Sequence, residues 1–201
     1  MNAFLAIDTT TGTSVAVVAG ERVLAEINVD DRMGHSENIG SALVKVLKRA
    51  DVRASDLAAV VAGRGPAPFT GLRVGIAAAV AFAEGIGRPL FGVVSHDAMA
   101  LAAFDAGVQA TAQRPLLITT DARRSEVYFT LYSGLDLHGV PTRMTEPSVA
   151  KPVDLEALLQ ERAILMVMHF RLQDQLLQWL HLESKPVICV PLKAQQIVKS
   201  D

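Results

Sequence analysis

A single cysteine, Cys189, stands in this 201-residue chain. That excludes an intramolecular disulfide, a CxxC redox pair and a thiolate zinc site, and it fits a reducing cytosol. Net positive charge is missing as well: 19 Lys and Arg against 21 Asp and Glu leave a formal charge of −2. Phosphate neutralisation supplies most nucleic-acid affinity, so a chain that holds nucleic acid alone is not expected. No apolar run approaches the roughly 20 residues needed to cross a bilayer. The longest, Val74 to Ala83, is rich in alanine, and Asp8 interrupts the first. Neither a membrane span nor a secretory leader is expected. His35, His96, His138, His169 and His181 form no HExxH or HxxxH pattern, so no two can share a metal from one helix turn. Met99 and Ala100 stand where a second ligand to His96 would be needed, and His96 reads as a capping or surface residue. No GxSxG elbow supplies a nucleophile, and no base lies beside Cys189 in sequence.

What the chain has is apolar substance: half of its residues are hydrophobic, enough for one large domain or two small ones. Phe4 to Ile7, Val15 to Ala19 and Val23 to Val29 read as three strands joined by tight turns. Ser36, followed by Glu37, starts a helix with Ile39, Leu43, Val46, Leu47 and Ala50 on one face. Leu57 to Ala62 reads as a buried strand, and a helix to about Glu84 stops at Gly85-Ile86-Gly87. A strand over Leu90 to Val94 and a helix from Ser95 or Asp97 to Asp105 follow. This order is a mixed α/β layer whose later strands are parallel. LLITTDARRSEVYFTLY, from Leu116 to Tyr132, echoes FLAIDTTTGTSVAVVAG at the start. It suggests a duplicated fold with lobes of 1–113 and 114–201. Beyond Gly134 the reading is a proline-spaced linker, a helix from Asp154 to Gln160, another over Arg171 to Leu182 and a strand at Val187 to Val190; Ile164 to Met168 has no clear period.

The chain is punctuated most densely at GRGPAPFTGLRVG, Gly63 to Gly75. Gly63, Gly65 and Pro66 shape the loop, Phe69 and Arg73 flank the helix start, and Thr70 is a plausible cap for a helix beginning near Gly71. Such a start offers free N–H groups, so it reads as an anion cradle or as a turn docking a helix closely on its neighbour. No lysine follows to reach a terminal phosphate, and a Walker-type reading fails. Gly71, Gly75, Ala79 and Ala83 recur every four residues, a shallow row along which another helix could approach. Leu72, Ile76 and Val80 form the adjoining row. Both rows have an ordinary explanation as core against the sheet. Asp8, Thr10, Gly12 and Ser14 read as a hairpin turn with Asp8 bonding local amides, ahead of a phosphate-loop reading.

IDTTTGTS, HSEN at His35 to Asn38, GRGPAPFTGLRVG, GRPLFGVVSHDAMA and DARRSEVY, in this order over residues 3 to 132, resemble the bacterial TsaB (YeaZ) family. The first segment alone is also similar to the phosphate loop of actin-like ATPases and sugar kinases, so a small ATPase or kinase acting through Asp8 is the alternative. The family resemblance implies an α/β, actin-like ATPase (ribonuclease H-like) duplicated fold: two lobes of mixed sheet flanked by helices. It implies a cytoplasmic, non-catalytic supporter of the transferase TsaD in forming threonylcarbamoyladenosine beside the anticodon of tRNAs that read codons starting with A. TsaE, a small ATPase, would join them; ATP or ADP would sit at the complex interface, with no cofactor or metal in the chain itself and tRNA met only through the complex. Alone, the chain would be a homodimer through the same surface. That surface maps to the two helices carrying Ser36, Ile39, Leu43, Val46, Leu47, Gly71, Leu72, Gly75, Ile76, Ala79, Phe82 and Ala83. A large residue at Gly75 is expected to weaken partner binding more than folding. From about residue 163 the chain departs from the family pattern.

Overall fold

The computed structural model describes residues 2–20, 22–29, 35–155 and 166–170. The chain forms two compact units, divided between Ser95 and His96. In the first, β1 (Ala3–Asp8), β2 (Thr13–Ala19) and β3 (Arg22–Val29) form an antiparallel meander. Then come α1 (His35–Ala50), a 3-10 turn at Ala54–Asp56, β4 (Leu57–Gly63), α2 (Phe69–Ile86) and β5 (Leu90–Val93). The sheet order is β3-β2-β1-β4-β5, with β4 parallel to both β1 and β5. Alternation along the strands divides the apolar residues between two faces. Leu5, Ile7, Val15, Val17, Val60 and Ala62 share a core with Ile39, Ala42, Leu43 and Val46 of α1 and Ala79 and Ala83 of α2. Ala6, Ala16, Val18 and Val61 form a separate cluster.

The ends of both helices follow from local chemistry. After α1, Asp51 takes a left-handed backbone (φ 54°), its N–H reaching the Lys48 carbonyl at 3.3 Å while the Val52 N–H reaches Leu47 at 3.2 Å. This paired closure usually places glycine where Asp51 stands. At the end of α2 the same pattern has its glycine: Gly87 (φ 63°) bonds Glu84, and the Arg88 N–H bonds the Ala83 carbonyl at 3.0 Å. The start of α2 differs from expectation. Pro68, not Thr70, occupies the cap position, no side chain caps the helix, and the Leu72 N–H closes its first turn on the Pro68 carbonyl at 3.2 Å. That bond makes Phe69 the first helical residue, two before Gly71.

In the second unit, α3 (Ser95–Asp105) leads to β6 (Leu116–Ala122), β7 (Glu126–Leu135), β8 (Pro141–Arg143), β9 (Ser148–Ala150) and β10 (Met166–Phe170). The order is β10-β6-β7-β8, with β9 also pairing β7. Met99, Ala100 and Ala103 pack with Leu116, Ile118 and Tyr132. The boundary between the units therefore falls after Ser95, the first residue of α3, instead of following that helix near residue 114. The duplication is visible in the pairing: β10 lies parallel to β6, which is antiparallel to β7, as β4 lies parallel to β1, antiparallel to β2. The stretch of no clear period thus ends in the second lobe's counterpart of β4. The expected linker after Gly134 instead contributes β8 and β9. Of the helix expected from Asp154, residues 152–155 are helical and the rest lies outside the described residues. So do the helix expected over Arg171 to Leu182, the strand expected at Val187 to Val190, and Cys189.

Candidate functional site

Three segments of the first unit converge on one carboxylate. Asp8 ends β1 and is 8% exposed. Its Oδ1 accepts the Thr10 N–H at 2.7 Å, the local turn bond expected of it, and its Oδ2 accepts the Ser95 hydroxyl at 2.5 Å. Ser95 Oγ in turn accepts the Thr10 hydroxyl at 2.8 Å and the Gly65 N–H at 3.2 Å. A serine hydroxyl offers one donor and two acceptor positions, and all three are used. The Ser95 N–H returns to the Gly65 carbonyl at 2.8 Å. Burial pushes the Asp8 carboxyl above its ordinary range, against the bonds from Ser95 and Thr10 that favour the charged form. Glycine at 63 is required by this approach: a Cβ there would fall on Asp8 Oδ2, with Ser95 Oγ at 2.9 Å. Gly65 has φ 80°, and the peptide joining it to Pro66 is cis. Gly12 also takes a positive φ, and Ser14 turns away to bond Asn28 Oδ1 at 2.7 Å. Ser14 is therefore not part of the cluster, while Ser95, which sequence spacing did not single out as a site residue, is its hub.

The partner-binding residues read from sequence divide differently. Ser36 lies in α1, but Ile39, Leu43 and Val46 are buried in this unit's own core and Leu47 packs against it. The small-residue row of α2 also turns inward. Gly75, Ala79 and Ala83 are its buried residues, and a Cβ on Gly75 would overlap the Thr9 side chain. The Thr9 hydroxyl bonds the Gly71 carbonyl at 2.9 Å, so the row lets α2 approach the β1 turn rather than a second protein. Leu72 lies against Gly65, Ile76 is half-buried and Phe82 packs on the core. The outward residues are others: Thr70, Arg73, Ala77, Ala81 and Glu84 on α2, Val44 on α1, and Phe69, 66% exposed with Arg73 stacked 3.6 Å above its ring. Eighteen residues long, α2 carries only Arg73 and Glu84 as charges, yet only three of its residues are buried. By length and composition alone such a helix passes for a membrane span. Here it is the crossover between parallel β4 and β5, with its small row on the sheet.

His96 is fully buried, contrary to its reading as a cap or surface group. It bridges Thr130 Oγ1 at 2.8 Å and Thr120 Oγ1 at 2.9 Å. Burial lowers its pKa to about 3. It occupies the α3 face that also carries Met99, Ala100 and Ala103, a phase visible in the spacing of 96, 99, 100 and 103. Nearby, Tyr132 donates to Asp97 Oδ1 at 2.8 Å, and Arg143 Nε approaches the same oxygen at 3.2 Å. Among the described residues, no group of three or more His, Cys, Asp or Glu could hold a metal ion.

Two sheets of repeated pairing, each with an aspartate near the end of its first strand, Asp8 and Asp121, place the molecule in the actin-like class of duplicated α/β folds. A polyphosphate/ATP-glucomannokinase from Arthrobacter shares that fold alone, at 13% identity and a TM-score of 0.57 over 99% of this chain and 97% of the kinase. Residues 23–162 match the family described as TsaD: tRNA N6-adenosine threonylcarbamoyltransferase. The tRNA threonylcarbamoyladenosine biosynthesis protein TsaB of Escherichia coli is 32% identical over 158 residues, covering 78% of this chain and 66% of that protein. An uncharacterized protein of Mycobacterium leprae is 39% identical over 161 residues, 78% of this chain and 41% of its own length. A crystal structure from Pseudomonas aeruginosa, described as similar to peptidase YEAZ, superposes with a TM-score of 0.71 at 26% identity over 96% of this chain and 84% of that one. The chain belongs to the TsaB (YeaZ) family, within the wider group that the transferase family describes. It spans between 41% and 66% of the lengths of these curated relatives.

Proposed function

We propose that this chain is a non-catalytic scaffold that binds and activates a TsaD-type transferase in the formation of tRNA threonylcarbamoyladenosine. The observation that carries this reading is α2: a nearly uncharged helix of eighteen residues with only three buried. The exposed side of α2 carries Phe69, Ala77 and Ala81, and Val44 is exposed on α1; apolar surface left open in this way is the kind that another protein covers. The contact is made by the outward residues Phe69, Arg73, Ala77 and Ala81, not by the small-residue row. Alone, the chain pairs with itself through the same face; in the complex a TsaE-like ATPase joins, ATP or ADP sits at the complex interface, and tRNA is met through the assembly in the cytoplasm. Family membership supports the pathway. The commitment of both Asp8 oxygens to internal bonds supports the absence of a reaction at this loop.

Reconstituted tRNA modification tests the proposal. Omitting the chain is expected to abolish or sharply reduce transferase-dependent threonylcarbamoyladenosine, and unchanged product would sink the idea. Calorimetry on the isolated chain separates it from a small actin-like kinase: tight magnesium-dependent ATP binding would favour the kinase.

A further inference from the structure

We propose that Asp8, Thr10 and Ser95 form a latch that fastens the loop from Gly63 to Pro68 and thereby sets where α2 begins, making Ser95 a positioning residue for the partner face. Its consequence for partner binding rests on the function proposed above; the latch itself does not. Ser95 Oγ touches all the parts at once: Asp8 at the end of β1, Thr10 in the following turn and the Gly65 N–H in the loop. Gly63 packs directly on the Asp8 carboxylate, and Leu72 of α2 lies 3.1 Å from the position of a Cβ on Gly65. The helix start has no side-chain cap of its own. The entry is held through this loop, whose side-chain ties run to one fully used hydroxyl and one buried carboxylate, beside the backbone bonds of Ser95 N–H to Gly65 and Arg64 N–H to Val93 and the Thr9 hydroxyl on Gly71. Polarity matters as much as shape. Gly65 N–H can only donate, which leaves the Ser95 hydrogen to Asp8 and requires an acceptor there.

Asp8→Asn tests this because it keeps the shape while replacing one acceptor oxygen with a donor. If the amide nitrogen faces Ser95, the Ser95 hydrogen has to turn to Thr10 Oγ1 and Thr10 gives up its own donation to the hub. If it faces Thr10, it meets another N–H. Either way a bond of the net is reversed or lost. Hydrogen exchange on the full chain is expected to accelerate about tenfold across 63–72 in Asp8→Asn and in Ser95→Ala, the scale of one buried hydrogen bond, with β6 and β7 at wild-type rates. The double variant should exchange no faster than the faster single one, because both changes open one network. Should Ser95→Ala fail to fold, Thr10→Val removes another bond of the hub without changing size and takes its place. Wild-type exchange at 63–72 in the folded variants, or effects that multiply, would overturn the latch. Affinity for the transferase is expected to fall with the loosened loop. Ala81→Glu, which touches none of these groups, separates the two ideas: a loosened loop in Asp8→Asn beside unchanged transferase affinity in Ala81→Glu strikes out the α2 face and leaves the latch standing.

Discussion

At the scale of single residues, a dependence on pH sits at His96. An unfolded chain binds a proton there near pH 6.5, whereas burial between two threonine hydroxyls lowers the folded value to about 3. The folded pKa is depressed, so the neutral folded form is fully favoured above 6.5, and that stability is lost as pH falls toward 3. Within this window His96 alone contributes a slope of about 1.4 kcal/mol per pH unit. Urea unfolding between pH 7 and 4 is expected to show a steeper loss for the native chain than for His96→Gln, and equal slopes would contradict the buried neutral assignment. Asp51 offers the opposite opportunity. Its left-handed backbone (φ 54°) closes α1 in a position that glycine fills without strain, so Asp51→Gly is expected to raise stability by about 0.5 to 1 kcal/mol. A thermal midpoint unchanged or lowered would count against that strain. Neither site is conspicuous as chemistry, yet both are visible once each residue is placed on its helix.

At the scale of elements, α2 separates what periodicity can tell from what it cannot. The rows at 71, 75, 79, 83 and at 72, 76, 80 were legible, and so was the need for one of them to face the sheet. Which row turned inward depended on Thr9, whose hydroxyl bonds Gly71 and whose side chain occupies the space a Cβ on Gly75 would need. That contact spans more than sixty residues of chain, so no local pattern encodes it. Gly75→Val is accordingly expected to cost about 1 to 3 kcal/mol of stability through overpacking, measured by denaturant midpoint. A variant as stable as the native chain would return Gly75 to the surface. The outward row has a local sign: Arg73 and Glu84 bracket Ala77 and Ala81 one helix turn at a time, and charge marks the solvent side of a helix. The Ser95 hub had no such sign, because its partners Asp8, Thr10 and Gly65 are brought together by parallel pairing of β1, β4 and β5.

At the scale of the molecule, the duplication was readable from the first hairpin of each lobe, Phe4 to Ala19 and Leu116 to Tyr132, because antiparallel neighbours joined by a turn are local in sequence. The parallel strand that completes each sheet was harder. β4 announces itself with six apolar residues before Gly63, whereas β10 begins inside a stretch without period and is placed by its pairing with β6. The proposal that one apolar face serves both self-association and the transferase carries a consequence for the whole assembly: the two states exclude each other. Only monomer is competent to bind, so apparent affinity for the transferase is reduced by the monomer fraction. At a total concentration about a hundredfold above the dimer dissociation constant, mass action leaves roughly 7% monomer, and the apparent Kd rises about fifteenfold. Titrations of transferase into increasing concentrations of this chain are expected to show that weakening. Ala77→Glu should lower both self-association, read by sedimentation, and transferase binding. Transferase affinity independent of chain concentration, in a chain that sediments as a dimer, would mean that the two partners use different faces, and α2 would then belong to only one of them.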